Sequence, residues 1–176
     1  TAYIDDQGSL SYGELTERVR RVASALLALG TRREERVLLL MHDCSDWAVG
    51  FLGASYAGIV PVAVNTLLTA DDYAYMLGHS RAQAVIVSHA LLPTLQSALE
   101  QGGHEVRAII VARAATSLPA GVLALEDVIQ AHAPLARAAD TGPDDPGFWL
   151  YSSGSTGRPK GTLHSHANPY WTAELY

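Results

Sequence analysis

Apolar positions recur every three or four residues at Leu15, Val19, Val22, Leu26 and Leu29 and stop at Gly30, which predicts an amphipathic helix. Ser11 and Glu14 stand at capping-box spacing at its start. Glu14 with Arg18 and Glu17 with Arg21 lie four apart in the favoured order, which assigns them to a solvated face. Ahead of this helix, the polar turn Asp5-Asp6-Gln7-Gly8 predicts a small hairpin between residues 2–4 and 9–10.

Further along, Val37 to Met41 is a continuous apolar run of the kind that forms strands buried on both faces. Ser45 to Ala57, rich in small residues and stopped by Gly58, predicts a helix, and Ile59 to Val64 a strand. The alternation continues with a helix capped by Thr69 that runs through Leu77 and ends at Gly78. A strand at Ala84 to Ser88, a helix at Leu92 to Glu100 with Pro93 in its first turn, a strand at Ala108 to Ala112 and a short helix at Glu126 to Ala131 complete it. Strands alternating with helices predict a layered α/β fold: a mostly parallel sheet with helices on its faces. Pro134 to Gly147 holds three prolines, two glycines and three aspartates and has little periodicity, so 134–147 reads as a linker or surface loop. It separates an α/β subdomain, 1–133, from a final segment, 148–176, and no fixed-period repeat is visible.

Composition narrows the functional classes. Twelve basic against eighteen acidic residues give a formal charge of −6, the wrong sign for a general nucleic-acid or anionic-membrane binder. Hydrophobic residues are 48% and charged residues 17%, with a mean hydropathy of +0.09, which argues for one sizeable core. The single cysteine, Cys44, cannot form an internal disulfide and reads as a small packed hydrophobe. No apolar run reaches spanning length and no signal pattern opens the chain, so a cytoplasmic location is expected. Because it begins at Thr1 and stops at Tyr176 inside an expected helix, the sequence reads as a piece of something longer.

The candidate chemistry lies after the linker. Phe148-Trp149-Leu150-Tyr151 reads as a strand, with Trp149 and Tyr151 on one face and Phe148 and Leu150 on the other. It runs into Ser152-Ser153-Gly154-Ser155-Thr156-Gly157-Arg158-Pro159-Lys160-Gly161, where three glycines, four hydroxyl residues and two cations suit a polyphosphate. Glycine lets several backbone N–H groups face one anion, the hydroxyls add donors, and a lysine adds a mobile point charge. Eleven of the twelve basic residues are Arg and the only Lys is Lys160, which favours a positional requirement over a chance surface lysine. The Walker A spacing and the Gly-x-Gly-x-x-Gly fingerprint are both absent, which weakens the P-loop, kinase and Rossmann readings.

Tyr151 through Gly161 resembles the signature loop of the adenylate-forming superfamily, which comprises the acyl-CoA synthetases, nonribosomal peptide adenylation domains and luciferases. His166 and Asn168, Leu10-Ser11-Tyr12-Gly13-Glu14-Leu15 and Ala57-Gly58-Ile59-Val60-Pro61-Val62 resemble further family segments in the same order. Within the superfamily, residues 65–73 and 166–176 are most similar to bacterial benzoate-CoA ligases and related aryl-CoA ligases.

The resemblance implies two half-reactions. A carboxylate attacks the α-phosphate of ATP to give an acyl-adenylate and pyrophosphate, and the thiol of coenzyme A then displaces AMP. It assigns phosphate contact to Ser152, Ser153, Gly154, Ser155, Thr156, Gly157 and Lys160, and leaves Arg158, at the family's variable position, in solvent. It implies ATP, Mg²⁺ and coenzyme A, places this chain in the N-terminal part of the family's large domain, and puts the catalytic lysine and the Mg²⁺-associated segment beyond residue 176. The chain by itself is therefore not expected to complete the reaction. A homodimer stays open. So do a non-catalytic nucleotide-binding module and an adenylation domain that loads a carrier protein.

Other constellations read more plainly. His164-Ser165-His166 has the spacing of some metal sites but lacks further ligands nearby, and His42, His79, His89, His104 and His132 are scattered, so no metal site is expected. Asp43, Asp46, Asp71, Asp72, Asp144 and Asp145 sit near helix starts or in the linker, as capping and solubility require.

Overall fold

The capping box forms as the sequence predicts. In the computed structural model, which describes residues 1–115, 117–152 and 157–176, the Ser11 hydroxyl accepts from the Glu14 N–H. The Glu14 carboxylate accepts in return from the Ser11 N–H, at the start of helix α1 (Tyr12–Ala28). Before it, β1 (Tyr3–Asp5) and β2 (Gly8–Leu10) make the small hairpin. There follow β3 (Arg36–Leu40), α2 (Ser45–Tyr56), β4 (Val60–Ala63), α3 (Ala70–Ser80), β5 (Ala82–Ser88), α4 (Leu92–Glu100) and β6 (Ala108–Ala112). The chain ends with β7 (Val122–Ala124), α5 (Leu125–Ala131), β8 (Pro146–Ser152), β9 (Lys160–Ser165) and α6 (Ala167–Leu175).

Seven strands form one sheet in the order β7-β6-β5-β3-β4-β8-β9, parallel throughout except for the antiparallel β8–β9 pair. Strand alternation divides the core between the two faces. Val37, Leu39 and Met41 pack with Val22, Leu26, Val49 and Ala54 of α1 and α2, and Leu38 and Leu40 pack with Tyr73, Met76, Leu77 and Leu95 of α3 and α4. Each fully buried Leu or Met stabilises the fold by about 1.5–3 kcal/mol through removal from water. The result is a three-layer α/β/α arrangement, the mostly parallel fold expected from the alternating pattern.

Two local expectations are corrected, and two strands are added. Helix α3 does not stop at Gly78; it continues to Ser80 and ends at Arg81 in the left-handed conformation (φ 53°). Gly78 is needed because a Cβ there would lie 3.0 Å from the Gly103 carbonyl oxygen. Arg18, placed on a solvated face with Glu14, instead pairs with Asp46 at 3.0 Å and Glu126 at 2.9 Å, while Glu14 serves the cap; the Glu17–Arg21 pair does form. Strands β7 and β9, which no hydrophobic period announces, add one strand at each edge.

Long-range polar tethers close the layers. Arg20 Nε donates to the Leu135 carbonyl at 2.7 Å, a nitrogen of Arg21 donates to that of His132 at 2.8 Å, and Arg33 pairs with Asp145 at 2.8 Å. The irregular segment before β8 thus lies against α1 and α2, and the Ala139 N–H donates to the Tyr56 carbonyl at 2.8 Å. Arg113, left-handed at the end of β6, pairs with Asp5 and Asp6 and holds the hairpin to the sheet. Among the described residues no helix is long and apolar enough to cross a membrane.

Two stability measurements follow from this packing. A Cβ at Gly53 would lie 2.7 Å from Val22 Cγ1, 2.9 Å from Val22 Cβ and 3.2 Å from the Val19 carbonyl oxygen, whereas Gly13 has nothing nearer than Ser11 Oγ at 3.9 Å. Gly53→Ala is therefore expected to lose about 1–3 kcal/mol in urea unfolding through overpacking, and Gly13→Ala to lose none. The second concerns acid. The Ser45 N–H bonded to Asp5, and the cap hydroxyls bonded to Glu14 and Asp72, hold these carboxyls below the usual carboxylate range. A depressed folded-state value contributes stability that is complete above the unfolded-state value, about 4, and is lost as pH falls through the folded one. The unfolding midpoint should drop with acidification below about pH 4, and Asp5→Asn should flatten that drop.

Candidate functional site

Strand β8 reaches the sheet beside β4, with Trp149 opposite Val62 and Leu150 opposite Ala63. It delivers its following loop to the carboxyl end of the parallel strands, the end at which open α/β sheets take ligands. The chain then turns back as β9, and Ser152 pairs directly across from Lys160. Ser152, Gly157 and Lys160 are exposed at the mouth of this hairpin, and Gly157 has the positive φ of 89° that suits glycine. Ser153, Gly154, Ser155 and Thr156 lie outside the described residues.

Lys160 takes no part in the ion pairs of the described residues, which run through Arg18, Arg21, Arg32, Arg33, Arg81 and Arg113. The one lysine of an acidic chain is thus left with its charge uncompensated by a carboxylate among those residues. Arg158 is not simply solvated, as its variable position suggested: its guanidinium carbon lies 5.2 Å from the centre of the Tyr75 ring, over its face.

Aromatic rings support the hairpin from below. Trp149 and Tyr151 share the face turned to α3, where Tyr75 and His79 stack at 5.3 Å, and His79 Nδ1 lies 2.9 Å from the Tyr151 hydroxyl. Burial pushes the Tyr151 phenol well above its ordinary value, so it stays neutral at physiological pH. On the opposite face, Phe148 meets Phe51 at 5.7 Å and His164 stacks flat on Phe148 at 4.6 Å. His164 Nδ1 is also 3.0 Å from the Asn168 amide nitrogen, so this histidine belongs to the packing of β8 and α6. His166 stands just ahead of α6, and its N–H donates to the Asp145 carbonyl at 3.2 Å. Composition pointed to the loop but not to Tyr75 and His79; their one-turn spacing on a capped helix was the signal that could have found them.

The neighbouring loop after β4 is fixed by a buried tyrosine. The Tyr73 hydroxyl donates to the Asn65 carbonyl at 2.8 Å and accepts from the Leu68 N–H at 3.2 Å. A cleft of about 1220 Å³ lies at the other edge of the sheet, beside Asp5, Arg18, Asp46 and Arg113, whose charges are already paired with one another. None of the described residues of the hydroxyl-rich loop lines it. Among the described residues no three His, Cys, Asp or Glu side chains are grouped to hold a metal ion.

Known proteins give the same frame. The whole chain, residues 1–176, matches the family described as AMP-binding enzyme. The chain belongs to the AMP-binding enzyme family. It is 45% identical to the benzoate–CoA ligase of Thauera aromatica over all of this chain and 32% of that protein. It superposes on the crystal structure of a benzoate CoA ligase from Burkholderia xenovorans LB400 with a TM-score of 0.88 and 57% identity, covering 100% of this chain and 33% of that one. On the anthranilate CoA ligase AuaEII in complex with anthranoyl-AMP the TM-score is 0.91 at 31% identity, covering 97% of this chain and 32% of that one. This AMP-binding enzyme chain thus spans about a third of the length of the relatives it matches.

Proposed function

We propose that this chain forms the ATP-binding portion of a carboxylic acid–CoA ligase acting on benzoate or a related aromatic acid. The observation that carries the reading is the hairpin mouth. Ser152 and Lys160, which flank the glycine- and hydroxyl-rich run, pair across the hairpin at the carboxyl edge of the sheet, and Lys160 has no carboxylate partner among the described residues, in a chain that matches an AMP-binding family along its whole length. Similarity to benzoate–CoA ligases supports the aromatic acid. The anthranoyl-AMP bound to a protein of the same fold supports an acyl-adenylate intermediate.

In this reading the acid's carboxylate oxygen attacks the α-phosphorus of ATP, and the bond from that phosphorus to the bridging oxygen breaks to release pyrophosphate. Coenzyme A sulfur then attacks the acyl carbon and AMP leaves. Ser152, Ser153, Gly154, Ser155, Thr156, Gly157 and Lys160 hold the β- and γ-phosphates as the leaving group and offset their charge, a positioning and electrostatic task. Mg²⁺ accompanying ATP would add further charge compensation at the same phosphates. Leu163, Tyr170, Trp171 and Leu175 on β9 and α6 are exposed at the open edge of the sheet, and further polypeptide of the ligase would add there.

The test is acid-dependent exchange of labelled pyrophosphate into ATP by the full-length protein that contains residues 1–176. Exchange should be strongest with benzoate or a substituted benzoate. A preference for an amino acid would instead favour a carrier-loading adenylation domain, and no exchange with any acid from a folded protein would leave a non-catalytic nucleotide module. Lys160→Ala is expected to slow exchange at least tenfold, roughly the loss of one charge-assisted contact to phosphate, while leaving the thermal midpoint in place.

A further inference from the structure

We propose that Tyr75 and His79, one turn apart on α3, are positioning residues that clamp the two limbs of the phosphate-binding hairpin and set its geometry for ATP. The inference rests on the reading of that hairpin as the phosphate site and adds the device that orders it. Each limb has its own anchor. On the incoming limb, the Tyr151 hydroxyl meets His79 Nδ1 at 2.9 Å one residue before Ser152. On the outgoing limb, Arg158 lies over the Tyr75 ring at 5.2 Å, two residues before Lys160. The two anchors act as one body because the Tyr75 and His79 rings stack at 5.3 Å with 24° between their planes.

Gly161 makes the clamp fit. A Cβ there would fall 3.3 Å from Trp149 Cε3 and 3.5 Å from both His79 Cε1 and Tyr151 Cε1, so glycine lets β9 lie flush on the rings immediately after Lys160. The platform itself is firm. Thr69 and Asp72 close a capping box at the start of α3, and Tyr73, Met76 and Leu77 bury its other side in the core. Tyr75, in contrast, is half-buried and His79 exposed, which is more than core packing needs from two rings. A guanidinium placed over one of them is an interaction a purely apolar contact would not select.

The physical consequence is preorganisation. Anchoring Tyr151 and Arg158 before ATP arrives leaves less of the two limbs to be ordered in the binding step. Because Tyr75 and His79 stand beneath the hairpin mouth, their effect should fall on ATP and spare the acid.

The experiment measures ATP affinity by equilibrium binding, and the KM values for ATP and acid by pyrophosphate exchange, in the full-length protein. Tyr75→Leu and Arg158→Gln should each weaken ATP binding about two- to fivefold, the range of one exposed cation–π contact, with the KM for acid and the thermal midpoint unchanged. The double variant should be no weaker than Tyr75→Leu alone, and Tyr75→Phe, which keeps the ring face, should bind ATP like the unaltered protein. His79→Phe, which keeps the stack but loses the Tyr151 contact, should also weaken ATP binding. Additive effects of Tyr75→Leu and Arg158→Gln, equal losses for ATP and acid, or a fall in thermal midpoint that accounts for the loss would overturn the clamp. Unchanged ATP affinity in these variants, with Lys160→Ala still impaired, would overturn the clamp alone. If Lys160→Ala also binds ATP normally, the phosphate-site reading fails with it.

Discussion

Two backbone register pairs, Val62 with Trp149 and Ala63 with Leu150, join the loop-bearing strand to the rest of the sheet. The site depends on them, because β8 follows an irregular segment and returns across the molecule to lie beside β4. What makes that return stable is the pleat. With Trp149 and Tyr151 turned toward α3 and Phe148 toward α2 and His164, each face of β8 meets rings already held by a helix. A slip of one residue would exchange the two faces and move Tyr151 away from His79. Side-chain matching on both faces therefore fixes the height at which Ser152 and Lys160 emerge, and the chemistry of the loop inherits that height.

Charge does a different task in this acidic chain. Three of its arginines are paired with carboxylates over long sequence distances: Arg18 with Asp46 and Glu126, Arg33 with Asp145, and Arg113 with Asp5 and Asp6. A guanidinium can hold two oxygens at once, and carbonyls as well as carboxylates serve, as Arg20 and Arg21 show at Leu135 and His132. These contacts tie the amino-terminal hairpin and the segment before β8 to the layers. The single lysine, a point charge on a flexible stem, stands instead at the hairpin mouth, outside the ion pairs of the described residues.

The legible parts of the fold were those with a period. Helix α4 and strand β6 run over the residues that the pattern marked, and α1 carries its predicted cap, because burial on one face or two writes itself into the sequence. Strand β9 left no such mark. Lys-Gly-Thr-Leu-His-Ser is mostly polar and largely exposed, and it is a strand because β8 offers it a ladder. Gly78 is not a helix stop, since α3 continues to Ser80; its lack of a Cβ answers to the Gly103 carbonyl on a neighbouring loop, which no local rule can see. The site divides in the same way. Glycine, hydroxyl and lysine composition made the loop visible, while Tyr75 and His79 acquire meaning only when β8 is set against α3.

In the proposed reading, the passage from β8 into β9 also constrains how the loop binds an anion. In P-loop and Rossmann sites the glycine-rich segment opens directly into a helix, whose first N–H groups and dipole share the work of holding phosphate. Here the residue after the loop enters an antiparallel strand, and α6 begins only at Ala167, beyond the six residues of β9. Among the described residues no helix N-terminus follows the loop directly to supply the positive end. In the proposed reading the donors are the loop's own N–H groups and hydroxyls, and Lys160 supplies the compensating charge. In the proposed clamp the ring platform on α3 takes the place of such a helix, with Tyr151 and Arg158 as its two points of attachment.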